Sequence, residues 1–203
     1  CEELLTKLYR EKDFPMTIVR PSHTYDSVIP VTRGGWTEYT VVDRIKKGRP
    51  IVVQGDGTSL WTITHSKDFA KGFIGLLANQ HAIGEAFHIT SDEVLSWNQI
   101  YATLARAAGF EAEMVHIPSD FIAGYADQYG FPSVCGTLLG DKSYCAVFDN
   151  SKIKKFVPDY VATIPFSEGI KDTLKWFEAN PSRMIVSEVT NRFIDGLIAS
   201  YSK

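Results

Sequence analysis

The residues best suited to chemistry in this 203-residue sequence are scattered rather than clustered. Histidines stand at positions 23, 65, 81, 88 and 116, with no clustered carboxylates at metal-ligand spacing, so no metal centre is expected. The G-x-S-x-G elbow, the H-E-x-x-H zinc motif, the phosphate loop and the G-x-G-x-x-G turn are absent. What remains is binding chemistry. His23 lies just past a short apolar run, Thr17-Ile18-Val19-Arg20, that stops at Pro21. A residue following the carboxyl end of a strand in an α/β protein faces the crevice where ligands bind. Trp36 and Trp61 carry flat faces suited to stacking on a sugar or a base.

The elements that must position these residues alternate between helix and strand. Leu4, Leu5, Leu8 and Tyr9 repeat at helical spacing, and Asp13-Phe14-Pro15 closes that helix before a strand over 16–20. Residues 22–35 read as a polar loop. Trp36 to Lys47 reads as a helix stopped by Gly48, with Pro50 beyond. Ile51-Val52-Val53 and Thr62 to His65 read as strands flanking the turn Gln54-Gly55-Asp56-Gly57-Thr58, where D-G pairs supply the positive φ a reversal needs. A helix over Lys67–Ala78 is expected to bury Phe69, Phe73, Leu76 and Leu77. Further on, Ala86–Ile89 reads as a strand and Ser96 to Gln99 as a capping box for a helix ended by Gly109. Glu113–Ile117 is a strand, with a helix starting at Pro118-Ser119. Residues 130–145 read as a long loop and Ala146-Val147-Phe148 as a strand. A helix spans Ser167–Glu178. Ile185, Val189, Phe193, Leu197 and Tyr201 mark a final amphipathic helix. The alternation predicts an α/β or α+β fold in one unit.

Composition excludes several classes. With 44% hydrophobic and 22% charged residues, disorder is ruled out. A net charge of −3 argues against nucleic acid as a partner, because phosphate contacts need a basic surface. The short basic runs, Arg44 to Arg49 and Lys152 to Lys155, read as solvated helix ends. Cys1, Cys135 and Cys145 lack C-x-x-C spacing, which suits a reducing compartment. The longest apolar runs fall far short of the ~20 residues a membrane span needs. A cytoplasmic protein without membrane contact is expected.

Three segments carry a resemblance. Thr17-Ile18-Val19-Arg20-Pro21-Ser22-His23-Thr24-Tyr25 resembles the R-P-x-x-x-Y-G-P motif of extended short-chain dehydrogenase/reductases. Gln54 to Thr58, continuing through His65-Ser66-Lys67-Asp68-Phe69-Ala70, is similar to that superfamily's G-D-G-x-x-R-D-F-x-H-V-x-D-x-A stretch. Phe148-Asp149-Asn150-Ser151-Lys152 resembles its D-x-S-K-A segment. All three occur in the family's order, over residues 1 to about 181. The family is that of the NAD-dependent epimerases and dehydratases.

The resemblance implies the C-terminal part of a Rossmann-type parallel sheet joined to a small α/β substrate-binding lobe. Residues 1–35 would be the last Rossmann elements and 36–181 mostly the lobe, with 182–203 the C-terminal helix. Cys1-Glu2-Glu3-Leu4-Leu5 looks like the continuation of the helix that follows the family's Y-x-x-x-K pair. The catalytic Tyr and Lys, and the glycine-rich dinucleotide turn, would then lie upstream of Cys1, and this chain alone would be inactive. The implied reaction is hydride transfer with NAD or NADP, bound mainly by that N-terminal part. Pro21, Ser22 and His23 match the loop against the cofactor. His23, Thr24, Trp36, Val53, Gln54, Trp61, His65 and Lys142 are the implied substrate positions. Trp61 stands where the family places a diphosphate-holding Arg, and Leu139 stands where it places a second. The expected partners are a sugar derivative, the N-terminal Rossmann part and a second copy in a homodimer. A contrasting expectation is a non-catalytic relative that binds RNA or senses a dinucleotide.

Overall fold

The computed structural model describes residues 1–202. In chain order its regular elements are α1 (Glu2–Lys12), β1 (Ile18–Pro21), β2 (His23–Tyr25), α2 (Thr40–Lys46), β3 (Ile51–Gln54), β4 (Leu60–Trp61), β5 (Ile63–His65) and α3 (Ser66–Leu76). There follow β6 (Ala86–Ile89), β7 (Leu95–Ser96), α4 (Trp97–Ala107), β8 (Met114–Ile117), α5 (Ser119–Gln128), α6 (Ser133–Thr137), α7 (Ser151–Phe156), α8 (Phe166–Glu178) and α9 (Glu188–Tyr201). The strands pair two by two. β1 runs parallel to β6, β2 to β5 and β3 to β8, while β4 meets β7 antiparallel. Three parallel pairs joined through helices make this a mixed α/β fold, as the alternation implied.

Register decides which side chains meet. His23 opposes Ile63 and Tyr25 opposes His65 across β2 and β5. The turn after β3 is pinned from three sides. Asp56 Oδ1 accepts from the Thr58 backbone at 2.9 Å, Gly57 adopts φ 72°, and Asn98 Nδ2 donates to the Asp56 carbonyl at 3.0 Å. A Cβ on Gly57 would sit 2.1 Å from Asn98 Oδ1, so only glycine lets α4 approach the turn. The turn thereby aims β4, and with it Trp61, at the start of α4. The predicted capping box is present: Ser96 accepts from the Gln99 backbone, and Gln99 accepts from the Ser96 backbone.

The main core gathers Tyr25, Ile29, Ile45, Val53, Trp61, Trp97, Ile100, Leu104, Phe166 and Ile170 between β2, β3, β5, α2, α4 and α8. Two smaller cores lie under α5–α9 and under α3–α7.

Several sequence expectations need correction. The helix expected from Trp36 starts only at Thr40, because Trp36 sits at φ 61° and bonds back to Ile29. Residues 130–145 are not one loop: α6 is followed by a π-helical turn over Leu138–Lys142. Ala146-Val147-Phe148 forms no strand, only one bridge from Ala146 to Trp61. α3 buries Asp68, Gly72 and Leu76 while Phe73 and Leu77 face outward, and the tightness demanded at Gly72 by Ile89 and Tyr160 sets that rotation. In α9 the buried face is Asn191, Phe193, Ile194 and Leu197, leaving Val189 and Tyr201 exposed. Arg44 is no solvated helix end. It is fully buried, donating to the Pro50 carbonyl at 2.9 Å, Asn191 at 3.0 Å and Asp195 at 2.8 Å. The cysteines are free and exposed.

Candidate substrate pocket

The first residue of β2, just past the carboxyl end of β1, together with the loop after β2, the end of α6 and the π-helical turn, encloses a cavity of about 350 Å³ lined by His23, Val31, Thr32, Trp36, Thr137 and Lys142. Aromatic rings build its floor. His23 stacks on Trp36 with centroids 5.3 Å apart, and its edge meets Trp61 at 5.9 Å and Trp97 at 6.2 Å. Trp61 and Trp97 are 5.6 Å apart and both are buried. Their indole N–H groups are satisfied, donating to the Tyr144 and Lys142 carbonyls at 2.8 and 3.1 Å. Those two bonds tie the π-helical turn over the tryptophans. Lys142 Nζ lies 3.9 Å from the Trp61 ring centre and pairs with Asp141.

Electrostatics hold His23 neutral. Burial first, and the Lys142 charge second, lower its pKa from 6.5 to about 4, against smaller opposing effects of the Pro30 backbone and Asp141. Its Nε2 is buried with no partner. Thr32 Oγ1 donates to Gln54 Oε1 at 3.0 Å and sits 2.9 Å from the Tyr101 hydroxyl, which leaves the Gln54 amide Nε2 unpartnered. An unpartnered buried nitrogen on a cavity-lining residue beside stacked rings is a feature of a small-molecule site.

The structure brings His23, Trp36, Trp61 and Lys142 together, with Gln54 reaching them through Thr32. It places the other expected residues elsewhere. His65 caps α3, its Nδ1 accepting from the Lys67 backbone, and its ring packs on Tyr25 at 5.1 Å. Val53 is fully buried in the main core. Thr24 bonds the Ser22 carbonyl at 3.4 Å, and Ser22 Oγ lies 2.9 Å from Thr64 Oγ1. Pro21 is exposed at the end of β1. Asp68 is structural: it is buried, binds Lys71 and accepts from the Ile164 backbone at 2.8 Å, and these bonds hold its carboxyl below the usual range despite burial. Sequence reasoning missed Thr32, Thr137 and Trp97. Trp97 reads as the first residue of a capped helix, and the pinned turn before β4 brings it against His23 and Trp61, behind the pocket wall. No group of three potential metal ligands occurs among the described residues, and no helix there is long and apolar enough to cross a membrane.

The model of the NAD dependent epimerase/dehydratase family matches residues 1–90. The match spans 90 of the 203 residues, and over that segment the chain is similar to the family. The likeness in fold extends beyond that segment. The crystal structure of UDP-glucuronic acid 4-epimerase from Bacillus cereus, in complex with UDP-glucuronic acid and NAD, superposes at a TM-score of 0.65 and 18% identity, over 88% of this chain and 50% of that one. Among curated proteins, chloroplast stem-loop binding protein of 41 kDa b from Arabidopsis thaliana is 32% identical over 135 residues, which is 63% of this chain and 35% of the relative. A 2'-dehydrokanamycin reductase from Streptomyces kanamyceticus is 27% identical over 113 residues, 56% of this chain and 30% of the reductase. The chain thus spans about a third of these curated relatives and half of the solved structure.

Proposed function

We propose that this chain supplies the substrate-binding face of an NAD-dependent enzyme that epimerises, dehydrates or reduces a sugar-type substrate through hydride transfer. The observation that carries the reading is the His23 pocket, with buried polar atoms left open beside stacked indoles, at the end of a strand in an epimerase-like fold. None of the nine tyrosines is followed by Lys four residues on, so the proton-transferring pair belongs to a segment outside these residues. The same holds for the cofactor's pyrophosphate cradle, since no glycine-rich turn opens a helix after a strand here. Exposed Pro21 and the Ser22 hydroxyl suit the nicotinamide end of NAD, which when bound accepts or returns the hydride. His23, Trp36 and Lys142 then orient the substrate and exclude water from it. A homodimer of the full-length protein is part of this reading.

The test is direct. The gene sequence immediately upstream of the Cys1 codon should encode a glycine-rich strand–turn–helix followed by Y-x-x-x-K, and a start codon adjacent to Cys1 without them would sink the enzyme reading. A second reading, RNA binding, is favoured by the name of the stem-loop binding relative. Mobility-shift titration with stem-loop RNA separates the two: salt-sensitive binding in the absence of any sugar turnover supports the second.

A further inference from the structure

The polarity of the His23 pocket selects among ligands. Lys142 is the only cationic residue in its lining, and its ammonium is already engaged by Asp141 and by the Trp61 ring. No guanidinium lines the cleft among the described residues. An entering anion would find no free counter-charge, and stripping water from an ion costs several kcal/mol. Uncharged polar groups fare differently. The hydrogen bond that the imidazole makes goes to the Pro30 backbone. Nε2, on a residue that lines the cavity, is left without a partner. Gln54, its oxygen taken by Thr32, keeps an unpaired N–H donor. Of the two, only His23 lines the cavity, and a hydroxyl group suits its nitrogen because it can donate as well as accept.

Trp36 supplies the remaining element. A bulky residue at φ 61° is strained, and here two backbone hydrogen bonds with Ile29 hold it in that state. One face of the indole stacks on His23 at an angle of 24°, yet the side chain stays 48% exposed. The strained backbone presents a flat aromatic face at the mouth of the cavity. At about 350 Å³ the cavity lies near the small end of the usual range of ~300–1,000 Å³, enough for one ring.

We propose that this pocket takes an uncharged, hydroxyl-bearing ring, a single pyranoside or cyclitol unit. It stacks on Trp36 and donates a hydroxyl to His23 Nε2, and the pocket does not hold a diphosphate. The proposal rests on the sugar-enzyme reading above and narrows its substrate class.

The experiment uses the full-length gene product saturated with NAD, and ligand-observed NMR to rank methyl glycosides and inositol against UDP, dTDP and UDP-glucose. Uncharged rings should bind at least tenfold tighter than UDP. Trp36→Ala and His23→Phe should each weaken them about tenfold, and Trp36→Phe should recover most of the loss. Circular-dichroism melts confirm that each variant is folded. Tighter binding of UDP or UDP-glucose, lost in Lys142→Gln, overturns the neutral-ligand proposal and leaves the sugar-enzyme reading standing. Binding of neither class, with no turnover of any sugar, overturns both.

Discussion

Burial of one imidazole among three indoles couples stability to pH at His23. The folded-state pKa lies near 4, below the 6.5 of a free imidazole, so between those values the unfolded chain binds the proton more readily. This group's contribution is complete above pH 6.5 and is lost as pH falls toward 4, at most about 3 kcal/mol. Carboxylates with lowered pKa, such as Asp56 and Asp92, add their own acid sensitivity, so the comparison must be made against a variant. Urea unfolding of wild type and His23→Gln at pH 4.5 and 7 should show a smaller pH-dependent loss in the variant; equal losses would place His23 in solvent. Arg44 is the second residue whose role was hidden from the sequence. Its neighbours Lys46, Lys47 and Arg49 made a basic run that reads as surface, but its guanidinium ties α2 to α9 through Asn191 and Asp195. Arg44→Met removes three hydrogen bonds and leaves buried Asn191 and the Pro50 carbonyl short of a partner. Asp195 keeps Arg49 and water. The expected cost is about 2–4 kcal/mol, read as a lower urea midpoint.

At the scale of elements, what was legible followed local chemistry. The D-G turn, the Ser96–Gln99 box and the Gly48 stop all fall where their side chains or backbone angles require. What was not legible depended on tertiary contact. α2 is shortened by the Ile29–Trp36 bridge, the rotation of α3 follows from packing at Gly72, and α6 with its π-helical turn is too short to show a period. Trp36 at the pocket and Trp61 behind it were visible by type, but Trp97, packed on Trp61, required the turn to be docked on α4. Gly169 illustrates the same dependence. A Cβ there would lie 2.0 Å from the Tyr25 hydroxyl and 2.8 Å from His65, where α8 crosses β2 and β5. Helix propensity favours Gly169→Ala by up to ~1 kcal/mol, whereas overpacking costs about 1–3 kcal/mol. Net destabilisation in thermal unfolding is expected, and an increase in Tm would show that α8 is free to shift.

At the scale of the whole molecule, the chain carries more outward apolar surface than its cores require. α1 buries none of its residues, with Leu4 61% exposed, and Ile74 of α3 and Leu77 just past its end are 64% and 60% exposed. Such side chains belong against another surface. The 203-residue chain expressed alone should therefore bind a hydrophobic dye and self-associate in light scattering, and Ile74→Lys with Leu77→Lys should reduce both. The family-model match over residues 1–90, the epimerase-like fold and the unpartnered His23 beside one aromatic pocket are the observations behind the proposed substrate binding beside a nicotinamide. The most direct measurement is hydride transfer followed at 340 nm in the full-length gene product, wild type against Trp36→Ala and His23→Phe, over a panel of sugars and glycosides. The account predicts NAD reduction with at least one of them, and a fall of about 100-fold in kcat/KM in each folded variant with NAD affinity unchanged. Turnover untouched by both substitutions would contradict it.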